Sequence, residues 1–164
     1  MRRLLLVLMV CGLVFLVIST TAVANPHARP FKGHAVGTIA FSPDPTLPPP
    51  SLWVTAEAVG NASHLGLTTL SGRHAAANAF GGEMMFTAAN GDTITMSYVG
   101  SGAIPADIQI GDWYDTTSEN TITGGTGRFA HATGKFDMTG RLQFLGLASP
   151  VWPAVWTWKG KIKY

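Results

Sequence analysis

From Lys135 to Leu145 the chain alternates strictly. Phe136, Met138, Leu142 and Phe144 fall on one side, and Lys135, Asp137, Thr139, Arg141 and Gln143 on the other. Val155 to Tyr164 repeats the pattern, with Trp156, Trp158, Ile162 and Tyr164 against Thr157, Lys159, Lys161 and Lys163. A two-residue period is the signature of a strand with one buried and one solvated face, which is how antiparallel sheets are built. Such faces must be covered, so the rest of the chain has to supply partner strands.

It supplies them. Gly33–Phe41, Leu52–Val59, Ser63–Leu70, Glu83–Ala89, Thr93–Gly100 and Asp115–Thr123 all read as strands. With the two alternating runs this makes about eight, with glycine or proline at most junctions and no long helix. Asn90-Gly91-Asp92 between two of them is a strong hairpin signal. Ser71-Gly72 reads as a turn, and the alanine-rich Arg73–Asn78 as half a helical turn. Pro43–Pro50 holds five prolines and reads as a stiff polyproline-like connector. The pattern fits a closed antiparallel barrel or a two-sheet sandwich.

The N-terminus is a different kind of segment. Arg2 and Arg3 precede the uncharged apolar run Leu4–Ile18, and Ala22-Val23-Ala24 offers an A-x-A cleavage site. Residues 1–24 therefore read as a Sec-type signal peptide, which predicts a secreted or periplasmic protein beginning at Asn25. The run is shorter than the ~20 residues of a spanning helix, so no stable membrane insertion is expected after cleavage. Residues 25–32 read as a loose N-terminus, and 33–164 as a single domain. Cleavage would remove Cys11, the one cysteine, leaving no disulfide and no thiol nucleophile. It would also remove two of the eleven basic residues, leaving nine against nine acidic ones. A balanced charge gives no reason to expect nucleic acid as a partner.

Between the last two hairpin units lies Gly124-Gly125-Thr126-Gly127-Arg128-Phe129-Ala130-His131-Ala132-Thr133-Gly134. Its glycines allow backbone conformations that make a tight corner. Phe129 is then free to plug a barrel end, and Arg128 and Thr126 to bond carbonyls left open where the strand stops. Gly125-x-Gly127-x-x-Ala130 matches a loose dinucleotide pattern, but that motif needs a following helix in a βαβ unit, and here an alternating strand follows.

This stretch, after a strand ending Thr121-Ile122-Thr123, resembles the signature of allene-oxide-cyclase-like barrel proteins. A similar Gly-Thr-Gly-x-Phe element occurs in plant dirigent proteins. Asn61-Ala62-Ser63-His64-Leu65-Gly66 and Phe86-Thr87-Ala88-Ala89-Asn90-Gly91-Asp92 look similar as well. With the flanking strands the likeness covers most of the mature chain, and secreted bacterial members of the group look closely similar. The resemblance implies an all-β, eight-stranded, calycin-like antiparallel barrel with a central cavity, often in homo-oligomers. It implies either a cofactor-free isomerase or cyclase, or a protein that holds reactive radicals.

The chemistry-bearing residues are few. There is no Gly-x-Ser-x-Gly elbow and no His-Glu-x-x-His helix, and His34, His64 and His74 have no ligand-like spacing, so neither metal nor cofactor is expected. Glu57 shares a face with Trp53, Thr55 and Val59. On a lumen face it would be a weak candidate for an acid or base; on the outside it is an ordinary surface carboxylate. The alternation assigns Met96, Tyr98, Ser118, Asn120, Phe144, Trp156 and Trp158 to an inner, aromatic-rich face. Such a surface suits a small apolar or phenolic ligand. Three readings stand: ligand binding without chemistry, confinement catalysis or stereo-guiding, and a filled core serving a structural or partner-binding module.

Overall fold

The computed structural model describes residues 27–43, 46 and 51–164. The expected signal peptide and most of the proline-rich connector lie outside the described residues, and Pro43 belongs to the first strand. Eight strands run in chain order: β1 (Arg29–Pro43), β2 (Leu52–Ala62), β3 (Gly66–Ala75), β4 (Ala79–Ala88), β5 (Thr93–Ser101), β6 (Trp113–Gly125), β7 (Thr133–Gln143) and β8 (Val151–Lys163). Each pairs antiparallel with the next, and β1 closes the ring against β8. The result is an up-and-down barrel in which every strand has two partners and no edge is left open.

The expected faces hold. Ile94, Met96 and Tyr98 point inward on β5, Phe136, Met138 and Leu142 on β7, and Trp156, Trp158 and Ile162 on β8, all buried. On β2 the small face is the inner one: Val54, Ala56 and Ala58 are buried while Glu57 and Val59 are exposed. A row of small side chains on one wall leaves room for large rings from the others.

Those rings fill one half of the barrel. Phe86 on β4 stacks on Trp158 on β8, nearly diametrically opposite, at 4.9 Å between centroids. Phe31 on β1 meets Phe136 on β7 edge-on at 5.2 Å. Both geometries are preferred by aromatic quadrupoles. Phe31 anchors a part of β1 that proline and charge disguise: the strand begins at Arg29, ahead of the expected Gly33, because burying Phe31 and pairing Arg29–Lys32 with β8 outweighs Pro30.

The same end is closed by the three stretches that carry the family resemblance. The β2–β3 turn, the β4–β5 turn and the glycine-rich corner meet there. Arg128 joins them, donating from Nη2 to the His64 carbonyl and sitting 3.6 Å from the Asp92 carboxylate. Gly127 has φ 56°, and a Cβ on it would overlap the Asp92 side chain, so glycine is required twice over. A single 3₁₀ turn, Gly127–Phe129, drops Phe129 fully buried into the barrel end, with its ring 4.8 Å from that of Tyr164. Thr126 does not donate to an open carbonyl; its Oγ1 accepts the Thr93 N–H at 3.0 Å.

Two local readings change. Ser71-Gly72 is not a turn and Arg73–Asn78 is not helical: β3 runs straight through to Ala75, paired with Trp53–Ala62 of β2 and, over Thr68–His74, with Gly82–Ala88 of β4. The true reversal comes at residues 76–78.

Candidate functional site

With one end closed and half the lumen packed, the open space lies at the other end. A cavity of about 300 Å³ enters the barrel there. Trp156, Met138, Met84, Ile39 and Ala56 are among its apolar walls, with Val54, Leu142, Phe41 and Phe80 towards the strand ends at the mouth. The β3–β4 turn and the segment after β5 form the rim, tied together by the Gly102 N–H donating to the Asn78 carbonyl at 2.9 Å. Exposed Ile104 adds an apolar lip.

The polar atoms of this cavity are grouped. His74, Tyr98, Tyr114, Thr116 and Ser118 all line it. The Tyr98 hydroxyl lies 2.7 Å from His74 Nδ1. His74 ends β3 on its inner face, Gly82 faces it on β4, and Tyr98 faces Gly82 on β5, so the three occupy one rung across the sheet. A Cβ on Gly82 would stand 3.0 Å from the Tyr98 hydroxyl and collide with the Arg73 carbonyl. The missing side chain is what lets Tyr98 reach across β4 to His74. Phe80 then stacks on the His74 ring at 4.5 Å and 14°, fixing its plane.

Burial shapes the charge states. It lowers the His74 pKa from the usual 6.5, so the ring is neutral near pH 7. It pushes Tyr98 up to about 12 and raises Tyr114 as well, so both phenols stay protonated. A neutral imidazole has one N–H and one bare nitrogen. In one tautomer the Tyr98 O–H donates to bare Nδ1; in the other Nδ1–H donates to the Tyr98 oxygen. Nδ1 is engaged with Tyr98 in both, and Nε2 has no hydrogen bond among the described residues.

Of the residues assigned to a lumen site from the sequence, Tyr98, Ser118 and Trp156 line this cavity. Met96, Asn120 and Trp158 are buried but do not line it, and Phe144 packs at the rim against Trp152 at 5.1 Å. Asn120 donates from Nδ2 to the Ser118 carbonyl, Ser118 Oγ and the Phe136 carbonyl at 3.1–3.3 Å. It does not pair with Tyr98. Its Oδ1 is buried without a partner among the described residues. Glu57 stands on the outer wall, where a carboxylate has no access to the lumen. Alternation alone gives no signal for His74, because it is the register from β3 across β4 to β5 that sets it beside Tyr98. Among the described residues no three His, Cys, Asp or Glu side chains converge as a metal site would need.

No protein-family model matches the sequence, and no curated protein matches it. A solved structure, that of a pterocarpan synthase dirigent protein, superposes over 93% of this chain and 99% of its own, with a TM-score of 0.54 and 13% identity. The barrel is dirigent-like. At that identity the likeness is one of fold. It agrees with the resemblance carried by the glycine-rich corner, which lies at the closed end, away from the cavity.

Proposed function

We propose that this protein takes a small apolar or phenolic molecule into the open half of its barrel. The observation that carries this reading is the cavity itself: about 300 Å³, walled mainly by aromatic and aliphatic side chains, with a few polar groups that include the hydrogen-bonded pair His74 and Tyr98. Apolar walls with a few placed polar groups are the usual composition of small-molecule sites. The walls select by shape. The pair selects for an oxygen function at one end of the ligand, because Tyr98 offers its oxygen or its hydroxyl proton according to the His74 tautomer. If residues 1–24 act as the leader they resemble, the ligand is met outside the cytoplasm.

A dirigent-type role is the second reading, favoured by the fold likeness and by the neutrality of the site. A pocket without fixed charge holds a reactive intermediate by shape and shields it from water.

Calorimetric titration with 2-naphthol tests the binding reading. Saturable binding with a Kd on the order of 10–100 μM is expected for a ligand of this size in an apolar pocket. Ala56→Leu, which pushes a larger side chain into the cavity, is expected to weaken it at least about tenfold while the β-sheet circular dichroism is retained. Absence of heat with the wild type, or equal affinity in Ala56→Leu, overturns the reading.

A further inference from the structure

We propose that His74 and Tyr98 form a two-ended proton relay that enolises a carbonyl compound held in the cavity, without a cofactor. This rests on the cavity being a small-molecule site. The relay follows from the geometry of the pair. His74 Nδ1 and the Tyr98 hydroxyl are 2.7 Å apart, so one proton passes between them without rearrangement. Each partner keeps a second functional end: Nε2 on the histidine, the remaining face of the phenol oxygen on the tyrosine. Both residues line the same cavity. The stacked Phe80 ring and the absent side chain at Gly82 hold the two in register.

The proton balance closes. With Nδ1 protonated, Nε2 takes a proton from the carbon next to the substrate carbonyl, and the C–H electron pair becomes the C=C bond of the enol. Nδ1–H passes to the Tyr98 oxygen as the Tyr98 hydroxyl proton moves to the substrate oxygen. The enol forms, and the pair is left in its other tautomer, with Nε2–H and the Tyr98 O–H donating to Nδ1. Return of the Nε2 proton to a carbon of the enol, with Tyr98 taking back the enol proton and giving its own to Nδ1, restores the start. Reprotonation at the original carbon exchanges hydrogen; reprotonation at a conjugated carbon isomerises the substrate. No full charge builds up at any stage, which suits a site where burial disfavours both imidazolium and phenolate. Lowered histidine basicity also keeps the ring in the neutral form that the relay requires at pH 7.

The substrate class is therefore an apolar, ring-bearing ketone or enone with an acidic α-hydrogen, small enough for about 300 Å³. The probe is 2-tetralone. Its binding is read by calorimetry and its deuterium uptake at the α-carbon by proton NMR in D₂O at pH 7. The wild type is expected to bind it and to speed exchange by at least about a hundredfold over buffer, the low end for a placed acid–base pair. Tyr98→Phe and His74→Gln are expected to bind 2-tetralone more weakly, for the lost oxygen contact, and to lose the acceleration even when saturated with it. Their folding is checked by thermal melts, and ligand binding by each variant confirms the cavity. Binding with no acceleration by the wild type overturns the relay and leaves the binding site standing. Undiminished exchange in either variant also overturns it. Failure of both 2-tetralone and 2-naphthol to bind overturns the cavity reading, and the relay with it.

Discussion

Tyr98 reaches His74 across a strand, not along one. The hydroxyl and Nδ1 are 2.7 Å apart, although β4 lies between their own strands, because the inner position between them is Gly82. Restoring a side chain there is the simplest way to take the pair apart. Gly82→Ala is expected to cost about 1–3 kcal/mol, as overpacking of a tight site does. It is also expected to lower the affinity for 2-naphthol. Chemical denaturation and titration of the same sample check both.

The pair also gives the fold a pH signature. For His74 the folded pKa lies below the unfolded value of 6.5, so its contribution to stability is full above 6.5 and is lost as pH falls through the lowered value. For Tyr98 the folded pKa is about 12 against 10.0, so its contribution is full below pH 10 and is lost as pH rises towards 12. Urea denaturation of wild type against His74→Phe from pH 7 to 4, and against Tyr98→Phe from pH 9 to 12, isolates each. The wild type is expected to lose stability relative to the first variant on acidification and relative to the second at the alkaline end.

The closed end should affect stability and leave binding alone. Phe129 is fully buried between the 3₁₀ turn and Tyr164, in the barrel end opposite the cavity. Phe129→Ala is expected to destabilise by about 3–5 kcal/mol, the range for truncating a buried phenylalanine. The 2-naphthol affinity of the folded fraction should stay within about threefold. A larger change would show that the two halves of the lumen are coupled.

The barrel was legible wherever the inner positions carry large apolar residues. β5, β7 and β8 alternate Ile94–Met96–Tyr98, Phe136–Met138 and Trp156–Trp158, and a period of two survives in the sequence. It fails where the inner positions are small or polar. The outer half of β3 presents Gly72 and His74 inward and the start of β4 presents Gly82, so the strands look like turn and loop. Those are the positions that make room for the cavity. The candidate site was half legible for the same reason. Tyr98, Ser118 and Trp156 follow from alternation, but His74 joins them only through a register that runs from β3 across β4 to β5. Asn120 reads as equivalent to Tyr98 because alternation puts both on the inner face, yet its amide is turned to Ser118 and Phe136.

The division of the lumen into a packed half and an open half is the claim from which the rest follows, and the tryptophans report on it directly. Trp156 lines the cavity, whereas Trp158 is stacked on Phe86 in the packed half. In ¹H–¹⁵N spectra of the protein, indole signals assigned through Trp156→Phe and Trp158→Phe would be followed during titration with 2-naphthol. The account predicts that the Trp156 signal shifts and saturates with the calorimetric Kd while Trp158 stays in place. A stationary Trp156 at saturating ligand, or a Trp158 signal that moves in its stead, would contradict it.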